Sequence, residues 1–166
     1  MKIGIISDTH DNQSNLETCL DYFRQHNIDT VFHCGDLIST GMINLFAGFK
    51  LIYVYGNCDL DNAELYKSVM KLSKDNFASP IYTGKLDGKL ILAMHGHVEG
   101  SLMEAIQSRH YDYVFTGHSH MRGDRMHFKT RVINSGALGG LKREKRSFCI
   151  LDLTTDHLDF VHIPDL

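Results

Sequence analysis

The sequence predicts an α/β fold with two sheets packed face to face and helices outside. Three observations carry that prediction. Up to about residue 55, short apolar runs alternate with amphipathic stretches, the pattern of parallel strands joined by helical crossovers. The middle of the chain holds a hairpin signal, Asp87-Gly88, between two strand-like runs. The last third is rich in strand patterns with little helical periodicity. At 166 residues, 43% hydrophobic and 22% charged, the chain is about one domain long and too apolar for disorder, so a single domain over 1–166 is expected.

The elements follow in order. Residues 2–7 form an apolar run that turns polar, the first strand. Leu16, Cys19, Leu20 and Phe23 obey the i, i+3, i+4, i+7 rule, which predicts a helix over 13–26. A strand at 31–33, a short helix at 41–49 and a strand at 50–55 complete the first half. A helix at 62–74 precedes the hairpin strands 81–86 and 89–94, and a helix at 102–109 leads to a strand at 113–116. Strands at 124–128, 130–134, 147–153 and 158–163 close the chain.

Charge and composition exclude several roles. With 17 Lys and Arg against 20 Asp and Glu, the net charge of −3 argues against a surface that coats nucleic acid. Lys142, Arg143, Lys145 and Arg146 form the one basic run, read as a solvated face. No apolar stretch reaches the ~18 residues of a membrane span, and the N-terminus turns polar too early for a signal peptide. Four cysteines occur without a C-x-x-C pair, which points to a reducing compartment and a cytoplasmic location. Cys19, Cys34 and Cys149 read as small core residues.

The chemistry concentrates at strand ends. Asp8-Thr9-His10, Gly35-Asp36, Gly56-Asn57-Cys58-Asp59, His95-Gly96-His97 and Gly117-His118-Ser119-His120 each follow a predicted strand. In α/β sheets the carboxyl ends of strands face the ligand crevice, so these loops deliver aspartates, an asparagine and histidines to one edge. Asp8 and His10 are two apart, as are His118 and His120, and an extended segment would project each pair to one side. Oxygen and imidazole donors without thiolate suit Mn, Fe, Zn, Ni or Co. Of the remaining histidines, His33 lies within a strand and reads as a satisfied core residue, and His26, His110, His127, His157 and His162 lack motif context.

The ordered set Asp-x-His, Gly-Asp, Gly-Asn-x-Asp, His-Gly-His and Gly-His-x-His, spanning residues 8–120, resembles the calcineurin-like metallophosphoesterase superfamily, and the Gly-Asn-Cys-Asp form resembles its small bacterial and archaeal phosphodiesterases. The resemblance implies a four-layer α/β/β/α sandwich of two mixed sheets. It implies two divalent ions, with Mn ahead of Ni, Co, Fe or Zn. Asp8, His10 and His120 would hold one ion, Asn57, His95 and His118 the other, and Asp36 would bridge them. A bridging hydroxide would then attack a phosphodiester in line. The implied substrate is a small phosphodiester or nucleotide, and self-association is compatible with the small size.

One departure from the family pattern stands at Cys58, where many members carry a histidine that assists the leaving group. Asn57, Cys58, Asp59 and His97 are the residues considered for contact with the substrate or for supplying that proton. Two rivals remain open at this stage. One is a phosphomonoesterase or pyrophosphohydrolase gripping its phosphate with Arg109, Arg122 or Arg125; the other is a metal-binding interaction scaffold like the retromer subunit of this fold.

Overall fold

The computed structural model describes residues 1–164. Along them run β1 (Lys2–Ile6), α1 (Gln13–Gln25), β2 (Thr30–His33), a 3-10 helix (Thr40–Phe46), β3 (Lys50–Val54), α2 (Asn62–Leu72), β4 (Phe77–Ser79), β5 (Ile81–Leu86) and β6 (Lys89–Met94). α3 (Ser101–Gln107), β7 (Tyr113–Thr116), β8 (Arg122–His127), β9 (Thr130–Ser135), β10 (Ser147–Asp152) and β11 (His157–His162) follow. One sheet has the order β11-β10-β1-β2-β3-β4 and the other β5-β6-β7-β9-β8. Both are mixed. β1 to β4 run parallel, β10 pairs antiparallel with β1 and β11 antiparallel with β10, and β6, β7 and β9 run parallel between antiparallel β5 and β8.

Successive side chains of a strand point to opposite faces, and here both faces of the first sheet are covered. Ile3, Ile5, Phe32, Ile52 and Val54 meet Ile91, Ala93, Tyr113, Phe115 and Ile133 of the second sheet in the core between the sheets. The alternate positions Val31, Leu51 and Tyr53 turn outward onto Leu16, Leu20 and Phe23 of α1, Phe46 of the 3-10 helix, and Leu65 and Val69 of α2. α3 covers the outside of the second sheet, where Ala105 packs on Leu92, Met94 and Val114. The result is helix, sheet, sheet, helix.

Local signals place the helices. Asn12 caps α1 by accepting the Asn15 N–H, and Asp61 caps α2 by accepting the Glu64 N–H. Three expectations change in detail. The helix expected over 41–49 is a 3-10 helix, and it ends where Gly48 turns the chain at φ 89°. β4 was not expected, because three residues are too few to show a period, and its order comes from pairing with β3. β8 starts at Arg122, two residues before the expected strand, because its register with β9 carries pairing back to Arg122 and Ser135. No helix among the described residues is long and apolar enough to cross a membrane.

Candidate metal centre

The loops that follow β1, β2, β3, β6 and β7 meet at one edge, and within each sheet backbone hydrogen bonds tie neighbouring loops together. Asp8 N–H donates to Gly35 O at 2.9 Å, His10 N–H to Asp36 O at 2.9 Å and Gly117 N–H to His95 O at 3.0 Å. A sixth segment, after β9, closes over the first loop through Gly139 N–H to Asp8 O at 2.7 Å. Gly35 has no room for a side chain, since a Cβ there would collide with the His95 ring, and its φ of 92° suits glycine.

Asp8 and Asp36 are the centre of the cluster. His120 Nε2 lies 3.2 Å from Asp8 Oδ1, His10 Nε2 lies 3.9 Å from it, and the two imidazole nitrogens are 3.2 Å apart. On the other side His95 Nε2 is 3.4 Å from Asp36 Oδ2, 3.9 Å from Asp8 Oδ1 and 3.1 Å from Asn57 Oδ1. His10 Nε2 stands 3.6 Å from Asp36 Oδ2, so this carboxylate faces both sets. Cys58 is near as well: one ligand atom each from His10, Asp36 and Cys58 lie within 4.8 Å of one another. His118 is less enclosed. Its ring centroid is 5.1 Å from that of His95, and its backbone N–H donates to Asp8 Oδ2 at 3.0 Å. His97 is exposed beside them, 5.4 Å from His95 and 6.3 Å from His118 between ring centroids.

The two-residue spacing works differently from the extended segments expected. Asp8, His10, Asp36, His118 and His120 all sit at positive φ, between 44° and 64°. Each pair therefore converges through left-handed turns. Asp and His tolerate this region better than most residues, yet such positions still cost on the order of 1–3 kcal/mol each and persist only when the surroundings enforce them.

The surroundings are specific. Asp59, buried, aims both oxygens at backbone donors: Oδ2 accepts the N–H groups of Asp36 and Gly56 at 2.9 and 2.7 Å, and Oδ1 those of Leu37 and Ile38 at 3.0 Å each. This clamps the Gly35–Asp36 loop to the Gly56–Asn57 loop and turns the carboxylate away from the mouth. The leaving-group role considered for Asp59 does not match that orientation. His33 is the buried core residue expected, but it also braces the site. Its Nδ1 accepts the Gly35 N–H at 3.2 Å, which leaves Nε2–H to donate to Thr9 Oγ1 at 2.8 Å, and Thr9 stands between Asp8 and His10.

Arg146 departs from the solvated face read for its basic run. Its guanidinium donates to Gly139 O and, at 2.5 Å, to Gly140 O. That holds the segment against His10 and His120, so closely that a Cβ on Gly140 would meet both rings. No sequence signal marked Arg146, because a contact made across an irregular loop has no period. Arg109 and Arg122, considered for gripping a terminal phosphate, are engaged elsewhere: Arg109 lies over the Phe128 ring at 3.9 Å, and Arg122 Nε donates to Glu144 at 3.0 Å.

The charges fit a cation. His95 Nδ1–H donates to Cys34 O at 2.7 Å and His120 Nδ1–H to Leu141 O at 2.8 Å, an arrangement that fixes the tautomer and turns each Nε2 lone pair toward the carboxylates. Acceptors then face acceptors, and a proton or a metal ion has to sit among them. Asp8 Oδ1 is buried and without a hydrogen-bond partner. Burial pushes the Asp8 carboxyl up. For Asp36, burial also opposes the charge, but a protonated His95 beside it and the Cys58 N–H outweigh that cost and hold the carboxyl well below the usual range. His95 is raised, since Asp36 and Asp8 overcome the cost of its burial. A divalent ion would relieve all three at once, and the donor set of carboxylate, imidazole and amide oxygen suits one.

Comparison with known proteins gives the family and the fold. The calcineurin-like phosphoesterase superfamily domain matches residues 1–156. A phosphodiesterase of Methanocaldococcus jannaschii is 34% identical over 154 residues, covering 92% of this chain and 93% of that one. A solved structure described as a novel archaeal phosphodiesterase superposes with a TM-score of 0.93 at 32% identity, over 98% of this chain and 100% of the other. A phosphoesterase from E. coli shares the fold, with a TM-score of 0.71 at 18% identity over 99% of this chain and 100% of the other.

Proposed function

The chain belongs to the calcineurin-like phosphoesterase superfamily, a family of phosphoester hydrolases, and from that premise we propose that it cleaves phosphodiesters at the cluster around Asp8 and Asp36. The observation that carries this reading is the buried, unpartnered Asp8 Oδ1, ringed by the Nε2 atoms of His10, His95 and His120 where the strand ends converge. We assign Asp8, His10 and His120 to one divalent cation, Asn57, His95 and His118 to a second, and Asp36 to both. Manganese is the first choice, with Ni, Co, Fe or Zn as alternatives. When bound, such ions supply Lewis acidity toward the phosphoryl oxygens and an activated water nucleophile. Over the reaction, water adds its oxygen to phosphorus, the P–O bond to the leaving alcohol breaks, and one water proton ends on that alcohol.

The chain's own residues set the rest. Asp36, held ionised, turns Oδ2 toward both His10 and His95, while its Oδ1 accepts the Cys58 N–H at 2.8 Å. Asp59 is a positioning residue that fixes the loops carrying Asp36 and Asn57. The Cys58 thiol is pushed up to about 11, by burial first and then by the Asp36 carboxylate beside it. A thiol so far from neutral pH is a weak general acid, so esters with good leaving groups are favoured. We assign contact with the substrate to His97, which is exposed beside His95 and His118. Of the three arginines considered for a terminal phosphate, Arg109 and Arg122 are engaged elsewhere and Arg125 is exposed on β8. The cysteines are unpaired, in keeping with a reducing cytoplasm.

The test is a metal add-back. The protein is stripped with a chelator, and hydrolysis of bis(p-nitrophenyl) phosphate and p-nitrophenyl phosphate is followed with Mn, Co, Ni, Zn or Mg. Metal-dependent cleavage of the diester is expected, with Asp36→Ala abolishing it and lowering the content of both ions. Full activity in Asp36→Ala, or indifference to the chelator, would overturn the assignment.

A further inference from the structure

Beside the second half of the centre lies a cavity of about 150 Å³, lined by Pro80, Ile81, Met94 and Val98, with His95 and His97 on the side toward the cluster. Its other walls are apolar, and no Asp, Glu, Lys or Arg is among the described residues that line it. Ser101 Oγ, the hydroxyl of this wall, is spent on Val98 O at 2.7 Å and Met94 Sδ at 3.8 Å. Ile81 and Val98 are 47% and 57% exposed, so two branched apolar side chains stand in water at the rim.

This cavity shares His95 with the cluster. His95 itself is buried, so the wall toward the cluster that a ligand touches is the exposed His97, whose ring centroid stands 5.4 Å from that of His95. A group joined through one ester oxygen to a phosphate at the cluster would therefore reach it. Apolar-walled cavities of about 150 Å³ take a benzene-sized ring. A sugar or the polar edge of a nucleobase would instead lose water there with the wall hydroxyl already committed, and burying an unpaired polar group is costly.

We propose that this cavity is the subsite for an apolar, ring-sized ester group, and that the substrates are aryl or similarly apolar phosphodiesters. The inference rests on the phosphodiesterase reading and adds the substrate class. It makes Ile81, Met94 and Val98 specificity-determining residues.

The test compares two probes that differ in one substituent. Phenylphosphonate and methylphosphonate are titrated as competitive inhibitors of bis(p-nitrophenyl) phosphate hydrolysis by the Mn-loaded protein. Phenylphosphonate should bind at least about tenfold more tightly, the scale of discrimination that a small hydrophobic pocket provides. Val98→Asp and Ile81→Ser, both at exposed positions, should each shrink that ratio toward one.

Equal inhibition by the two probes, with metal-dependent diester cleavage intact, overturns the subsite and leaves the phosphodiesterase reading standing. A preference that survives both substitutions places the ring elsewhere and also overturns it. Loss of self-association in Val98→Asp on size-exclusion chromatography would make the wall a contact between copies, again against the subsite. If no metal supports diester cleavage, the underlying reading fails and the subsite falls with it.

Discussion

The two halves of the centre are held in different ways. Around Asp8, His10 and His120 every backbone sits at positive φ and the side chains are almost out of water, with Asp8 fully buried and His10 and His120 at 17% and 11% exposure. The Gly139–Gly140 segment closes this half, tied down by Arg146. Around Asn57, His95 and His118 only His95 is buried, while Asn57 and His118 face solvent and the apolar cavity opens alongside. The strained half is over-determined and suited to holding an ion through many turnovers. The open half is where a substrate can enter and leave.

The sharpest test removes one imidazole from each half. His10→Ala should weaken Mn binding at its own site by more than the ~10–100-fold that loss of a ligand's outer partner costs, whereas His118→Ala should stay within that range. Calorimetric Mn titrations of the two variants measure this directly. Equal losses would mean that the halves are equivalent despite their different burial.

Asp59 serves both halves, so its removal should blur the contrast. Asp59→Asn keeps one acceptor oxygen but gives up half of the four-amide clamp, and weaker Mn binding by about 10–100-fold is expected, with turnover recovering as Mn is raised to saturation. If turnover instead stays low at saturating Mn and the pH–rate profile loses its alkaline limb, the carboxyl is acting as an acid and the positioning role is wrong.

The parts visible in the sequence are those governed by short-range pattern. The apolar face of α1, the Asp87-Gly88 hairpin and the placement of each motif just after a strand follow from periodicity and turn chemistry, and the structure has them. β4 lacked a signal because its order comes from a neighbouring strand. The left-handed backbones at Asp8, His10, His118 and His120 were hidden for a related reason: conformations enforced by surrounding loops leave no trace in residue spacing. His33 shows the limit most clearly. Its burial could be read from its place in a strand, but its contacts with Thr9 and Gly35 depend on β1 and β2 lying side by side.

His33 also supplies the smallest and most local test, because it braces the strained half from beneath. Burial lowers its pKa from 6.5 to about 4, against the pull of Asp59. A histidine depressed in this way must stay neutral to remain folded, so the unfolded chain takes up its proton first as the pH falls. The stabilisation is therefore complete above about pH 6.5 and is lost progressively as the pH drops toward 4. Urea unfolding of chelator-treated protein across this window should show stability falling with up to one proton more per molecule than in His33→Asn, which cannot titrate there and retains an acceptor for the Gly35 N–H. The variant should be less stable at neutral pH and flatter toward acid. Parallel pH profiles for the two proteins would show that His33 is not titrating as a buried brace, and the enforcement of the Asp8–His10 turn would then have to come from Arg146 and the segment above.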